Sequence, residues 1–452
     1  MPGHRDAALA DRVGSLLASV GLDGRVEGLR RLSGGASRET WALDLVGPAE
    51  KRPLILQRLR PGTVGAGPGM SGEAALIRAA GAAGVPVPHV VVDDAGEALG
   101  APCIVMDRLE GETIARKLLR DDEWATARSR MTERAGAALA RIHQLPLDQA
   151  PHLPDADQLD DMRDLLHGLS DPHPALELAV RWLAANRPPT TARCVVHGDF
   201  RLGNLLLDRD GLAGVLDWEL AHLGDPAEDL GWYCVRAWRF GSPLPAGGMG
   251  TRDDLLAAYQ AAGGATIGPA ALRWWEVLGT LKWALICVVQ SQAHLSGLAR
   301  SVELAAIGRR VCENEWDVLA LLPGGELPEG ATPTATPPPS MHGRPTTAEL
   351  VEAVREWVEG DVAGTVEGRL AFHARVAVNA LRIVERELAL GPAQATAHRS
   401  RLAALGCADD AELAARIRSG ELDDRAEEVR ASVAATVRAQ LEVANPRWLE
   451  PD

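Results

Sequence analysis

The sequence predicts an α+β fold with a small sheet-rich lobe, a mostly helical lobe, and a C-terminal all-α domain. Three observations carry this. Strand-like runs crowd into the first 110 residues, nearly everything after them has helical spacing, and a Pro-rich break isolates the last hundred residues. In order, residues 7–20 place Leu9, Val13, Leu16, Leu17 and Val20 on one helical stripe. The apolar runs Thr40–Leu45, Leu54–Leu59, His89–Val92 and Cys103–Leu109 read as strands, with a helix carrying Glu73, Leu76 and Ile77 between the second and third. Short strands are expected again at Cys194–Val196, Leu205–Leu207 and Ala213–Leu216.

From Pro323 to Pro345 the chain has no apolar period and contains a Pro-Pro-Pro run, so it reads as a linker of extended, solvated backbone. The expected domains are therefore 1–322 (lobes at about 25–105 and 106–322), the linker 323–345, and a helical accessory domain over 346–452. In that last part Leu370, Ala374, Ala377, Leu381, Val384 and Leu388 form one apolar face. Gly391-Pro392 is expected to stop that helix, and another helix is expected over Arg425–Val443.

Composition excludes several classes. At 452 residues the chain exceeds one typical core, and 46% hydrophobic with 24% charged residues is a globular balance, not that of a disordered or collagen-like chain. The 47 basic residues include only three lysines (Lys51, Lys117, Lys282), and the net charge of −15 argues against nucleic acid or anionic membrane as partner. Six cysteines without a C-x-x-C pair argue against a disulfide framework or zinc site and favour a reducing compartment. Asp11 and Arg12 interrupt the N-terminal apolar stretch, and Lys282 interrupts the run Leu278–Val289, so neither a signal peptide nor a membrane span is read. A cytoplasmic protein is expected.

The chemistry lies in VVHGDFRLGN, residues 195–204. His197-x-Asp199 followed by Asn204 has the spacing of a kinase catalytic loop, in which a carboxylate at an acceptor hydroxyl sits one short loop from an amide oxygen that ligates metal. Asp217, in GVLDWE, follows an apolar strand where a second metal-holding carboxylate is needed, and Asn204 with Asp217 offers the oxygen ligands magnesium prefers. Upstream, Leu32-Ser-Gly-Gly-Ala-Ser37 lies between two strands. Gly34 and Gly35 would let backbone approach phosphate and Ser37 would donate to it; a plain hairpin turn is the alternative. Glu73 is placed to steady a phosphate-binding side chain of the preceding strand, or is simply a solvated helix residue.

HGDFRLGN, GVLDWE and GDPAEDLGW (Gly224–Trp232) together resemble the aminoglycoside phosphotransferase and choline-kinase-like superfamily over about residues 25–322. SGGASRETW, GVPVP, IVMDRLEGET and LARIHQL are similar to the branch whose eukaryotic members are fused to acyl-CoA dehydrogenases, and the tail resembles a helical domain of unassigned role. The resemblance implies a bilobal protein-kinase-like fold binding ATP, or GTP in its place, with Mg²⁺. It makes Asp199 the catalytic base and Asn204 and Asp217 the metal ligands. It puts Met106, Asp107 and Arg108 at the hinge against adenine, and has His197 bracing the loop. Asp225 and Asp229 would lie near the acceptor or cap a helix. Arg201 stands where many relatives have His, and would touch phosphate or an anionic acceptor, or pair with a nearby acid.

The third strand offers Gln57-Arg58 where many kinases have lysine. Charge favours Arg58 as the phosphate contact, paired to Glu73, while position favours Gln57. The expected activity is phosphorylation of a small-molecule hydroxyl, with a hydroxyacyl-CoA or hydroxy acid derivative favoured over an aminoglycoside. The alternative is a nucleotide-binding pseudokinase that regulates acyl-CoA enzymes. A homodimer or protein partner is expected, if anywhere, through the C-terminal helical domain.

Overall fold

A computed structural model describes residues 2–32, 38–48, 50–60, 67–149, 153–155, 157–324, 327–330, 332 and 344–450, with side chains from residue 7 onward. Gly34, Gly35 and Ser37, and most of the expected linker, lie outside the described residues. The chain divides into two compact units, Met1–Ala156 with Pro188–Glu276, and Asp157–Arg187 with Val277–Asp452.

In the first unit a five-stranded antiparallel sheet has the order β1-β2-β3-β5-β4, with β1 Arg25–Arg31, β2 Arg38–Val46, β3 Lys51–Leu59, β4 Val90–Asp94 and β5 Cys103–Asp107. The alternation of strand side chains gives it two apolar faces. Trp41, Leu43, Leu45, Leu54, Leu56, Cys103 and Val105 pack with Leu9, Val13, Leu16 and Leu17 of the helix Pro2–Ser19. On the opposite face Ile104 and Met106, with Ile55 beside them, meet Met70, Ala74, Leu76 and Ile77 of the helix Gly69–Ala82. Two small antiparallel sheets follow. One pairs β6 Cys194–Val196 with β9 His222–Gly224, and the other pairs β7 Leu205–Asp208 with β8 Gly211–Val215. The helices Ala125–His143, Ala227–Cys234 and Arg252–Ala261 surround them, around a core that includes Phe200, Leu205, Leu207, Val215, Trp218 and Tyr233. The sequence marked β6, β7 and β8 by their apolar runs; β1 and β9, with charged or single apolar positions, carry no such signal.

The second unit is helical. Its core joins Ala175, Cys312, Trp316 and Leu319 to Leu402, Leu413, Ile417, Val429, Val433 and Leu441. Residues on both sides of the Pro-rich segment thus bury the same apolar surface, so the contacts divide the chain elsewhere than the segment's composition suggests. Pro392 does not end its helix, which runs from Gly368 to Leu405. Proline removes one N–H from the helical ladder, but flanking residues hold the continuation. Arg386 Nε donates to Val443 O at 2.6 Å, and Gln394 Nε2 donates to Ala439 O at 2.9 Å. The helix stops instead at Gly406, whose φ of 74° makes the left-handed cap. All six cysteines are buried thiols. No described helix is long and apolar enough to cross a membrane.

Candidate active site

The loop between β6 and β7 is shaped by a buried carboxylate. Asp229, on the helix Ala227–Cys234, accepts from the backbone N–H of His197 (2.8 Å) and of Gly198 (3.0 Å), and its Oδ2 lies 3.1 Å from His143 Nε2. Burial alone would raise the Asp229 carboxyl. The hydrogen bond and charge of His143, with His197, outweigh it and hold the group below the usual carboxylate range. Gly198 has φ +79°, and a Cβ there would come within 2.3 Å of Leu220 O, so only glycine fits. The Asp199 N–H donates to His197 Nδ1 (3.2 Å), which leaves Nε2 protonated and facing Leu216 O at 3.1 Å. Burial pushes the His197 pKa down, so the neutral ring is a brace between the loop and the segment after β8.

Asp199 is held by three donors. Arg201 Nε and Trp232 Nε1 each donate to Oδ1 at 2.9 Å, and Asn204 Nδ2 donates to Oδ2 at 2.6 Å. The Arg201 guanidinium lies 4.6 Å from the centroid of the Trp238 ring, which fixes its plane. With its nitrogen spent on Asp199, Asn204 keeps its amide oxygen for a cation. Asp217 has φ 63°, a left-handed conformation costly for a residue with a side chain. Burial first, then the charges of Glu219, Asp199 and Glu73, push its carboxyl up to about 7, with Arg38 opposing. A carboxylate so crowded by others suits a divalent cation. Among the described residues no three His, Cys, Asp or Glu side chains converge as a metal cage of their own. Asn204 and Asp217 could supply two oxygen ligands to a magnesium ion, which would take its remaining ligands from outside the chain.

Around Asp217 the structure departs from the expectations. Glu73 is buried and paired, but with Arg38 of β2: Nη1 is 2.9 Å from Oε1 and 2.6 Å from Oε2, while Arg38 Nε is 3.1 Å from Glu219 Oε2. Arg58 does not reach Glu73. It pairs with Glu39 Oε2 at 2.6 Å, because strand alternation puts it on the face of Leu54 and Leu56 that packs against the first helix. Gln57 shares the other face with Ile55. At the expected hinge, Met106 faces the helix Gly69–Ala82, but Asp107 accepts from Arg52 (2.7 Å) and Arg108 pairs with Asp44 (3.1 Å). Their backbone N–H groups donate to His89 O and Pro53 O. The side chains and N–H groups of both residues are thus engaged with the sheet. Asp225 accepts from the N–H groups of Ala227 (2.9 Å) and Thr191 (2.6 Å), a capping role at the start of the helix Ala227–Cys234.

Arg38 and Trp232 were not singled out from the sequence. Trp232 had a signal available, since it lies three residues after Asp229 on one helix and so shares its face. Arg38 had none without the strand register.

Residues 28–275 match the model of the phosphotransferase enzyme family, and residues 364–448 match a domain of unknown function. Mouse acyl-CoA dehydrogenase family member 10 is 28% identical over 214 residues, which cover 44% of this chain and 20% of that protein. Mouse acyl-CoA dehydrogenase family member 11 is 40% identical over 98 residues, covering 19% and 13%. The chain thus spans a fifth or less of the length of these relatives. A candidate aminoglycoside phosphotransferase from Ralstonia eutropha has a TM-score of 0.55 at 19% identity, covering 68% of this chain and 97% of that one. Spectinomycin phosphotransferase, solved with ADP and spectinomycin, gives 0.50 at 13%, covering 69% and 99%. The fold is the protein-kinase-like one, sheet-rich first and mostly helical after.

Proposed function

This chain belongs to the phosphotransferase enzyme family, whose model covers more than half of it, and from that premise we propose that it moves the terminal phosphoryl group of ATP to a hydroxyl of a small hydroxy acid or hydroxyacyl-CoA. The observation that carries the reading is the Asp199 carboxylate, nearly buried and fixed by Arg201, Trp232 and Asn204, one loop away from Asp217. An acceptor hydroxyl entering there gives its proton to an Asp199 oxygen as its own oxygen attacks phosphorus. Asp199 is already oriented, so little reorganisation accompanies the transfer. Magnesium held by Asn204 and Asp217 would neutralise charge on the phosphates.

Arg201 supports this acceptor class. A guanidinium stacked on Trp238 and bonded to the catalytic carboxylate puts positive charge where the acceptor must sit. A polyammonium acceptor would be repelled there, whereas a carboxylate or thioester carbonyl beside the reacting hydroxyl would find a donor. Relatives named for acyl-CoA chemistry point the same way.

The test is magnesium-dependent ATP turnover against hydroxyacyl-CoA thioesters, free hydroxy acids and aminoglycosides, with phosphorylated product identified by mass. Turnover of a hydroxy acid or its thioester, absent in Asp199→Asn, is the expected result. Preference for an aminoglycoside would overturn the acceptor class, and absence of transfer to every acceptor despite ATP binding would favour a pseudokinase.

A further inference from the structure

We infer that Arg38, on β2, is the cation that grips the nucleotide's phosphates, in place of a basic residue on β3. The inference rests on the nucleotide-dependent reading above and assigns a residue that the sequence pattern had put elsewhere. On β3 the only charge on the face carrying Ile55 and Gln57 is Lys51, at the far end of the strand and 2.9 Å from Asp44 Oδ2, while Arg58 is turned to Glu39 on the other face. Register then decides which residue of β2 joins Gln57. Thr40 pairs with Gln57 and Arg38 with Leu59, so Arg38, two residues from Thr40, lies on the Gln57 face.

Arg38 is 8% exposed, lies against Glu73 and Glu219, and feels the charge of Asp217. A polyphosphate brought to Asp217 meets these carboxylates and needs more positive charge than one magnesium supplies. The guanidinium is built for this. Nη1 donates to Glu73 and fixes the plane, Nε lies 3.1 Å from Glu219 Oε2 without a hydrogen bond, and Nη2 makes no hydrogen bond among the described residues. A planar fork held from behind loses little freedom when its remaining donors bind phosphate oxygen. Glu73, on the helix Gly69–Ala82, is in these terms the positioning residue for Arg38.

The experiment is calorimetric titration of the full chain with Mg-ATP and with adenosine, for the parent, Arg38→Gln, Arg38→Lys and Arg58→Gln, beside thermal melting of each. Arg38→Gln is expected to weaken ATP at least tenfold and leave adenosine within threefold. Arg38→Lys should recover most of the loss, and Arg58→Gln should change neither ligand beyond threefold. Because Arg38→Gln leaves Glu73 buried without its ion pair, the double variant Arg38→Gln/Glu73→Gln, whose two amides are neutral, must show the same selective loss. ATP binding within threefold of the parent in the folded single or double variant overturns the inference, and so does an equal loss of adenosine and ATP. A parent that binds adenosine but gains nothing from the phosphates also overturns it. A parent that binds no nucleotide at all instead overturns the phosphotransfer reading on which it rests.

Discussion

The indole N–H of Trp232 donates to Oδ1 of Asp199 at 2.9 Å, so the carboxylate proposed as the base is anchored from a helix that also carries the loop-shaping Asp229. One helix therefore fixes both the backbone of the catalytic loop and the direction of its acid. Trp232→Phe keeps the ring and removes the donor. We expect kcat to fall about three- to tenfold and stability to fall by about 1 kcal/mol, the worth of one hydrogen bond. Unchanged kcat would mean that Arg201 and Asn204 suffice to orient Asp199.

Asp199→Asn should lower turnover by about 10²–10⁴, the usual weight of a positioned acid or base. Melting should stay within a few degrees of the parent, since the amide oxygen still accepts from Arg201 and Trp232 and only the bond from Asn204 Nδ2 is lost, which a turn of the Asn204 amide restores. Turnover within threefold of the parent would remove Asp199 from the chemistry.

Gly198→Ala should destabilise the protein by about 1–3 kcal/mol, through a positive φ and a clash with Leu220 O. Denaturant titration measures it. Activity should fall further than stability, because the shifted peptide carries Asp199. A neutral effect would mean that the loop has room the structure does not give it.

Acid stability should depend on Asp157, which caps the helix Gln158–His167. It accepts from the N–H groups of Leu159 (3.0 Å) and Asp160 (3.2 Å) and from Arg187 Nη2 (2.7 Å). The Arg187 hydrogen bond, against burial, holds its carboxyl at about 2. An unfolded aspartate titrates near ~3.9, so the folded value is depressed. The stabilisation is therefore full above that pH and is lost as pH falls toward 2. Asp157→Ala should melt below the parent at pH 7, and the gap should close between about pH 4 and pH 2. A gap independent of pH would show that packing, not charge, is what the substitution removes.

Pro392→Ala should stabilise the protein by about 1–2 kcal/mol, because it restores an N–H to a helix that already runs through the position. Chemical denaturation gives the sign. A loss of stability would mean that the helix depends on a bend at Pro392.

The sequence by itself determined the parts whose geometry is local. His197, Asp199 and Asn204 stand in one eight-residue loop between two apolar strands, so their spacing alone brings them together, and Asp217 follows on the next hairpin. The apolar runs of β3 and β5 and the stripe of the first helix likewise announced a sheet-rich first lobe. Tertiary structure decided what depends on partners distant in the chain. Which arginine meets Glu73 turns on the register of β2 against β3, whereas charge alone chose Arg58 over Gln57. Whether Gly391-Pro392 ends a helix turns on Arg386 and Gln394 finding carbonyls near residues 439 and 443. Where the chain divides turns on Trp316 and Leu441 sharing a core across the Pro-rich segment. A local pattern states what a residue prefers; burial and pairing with residues far along the chain, each worth more than that preference, decide which option is taken.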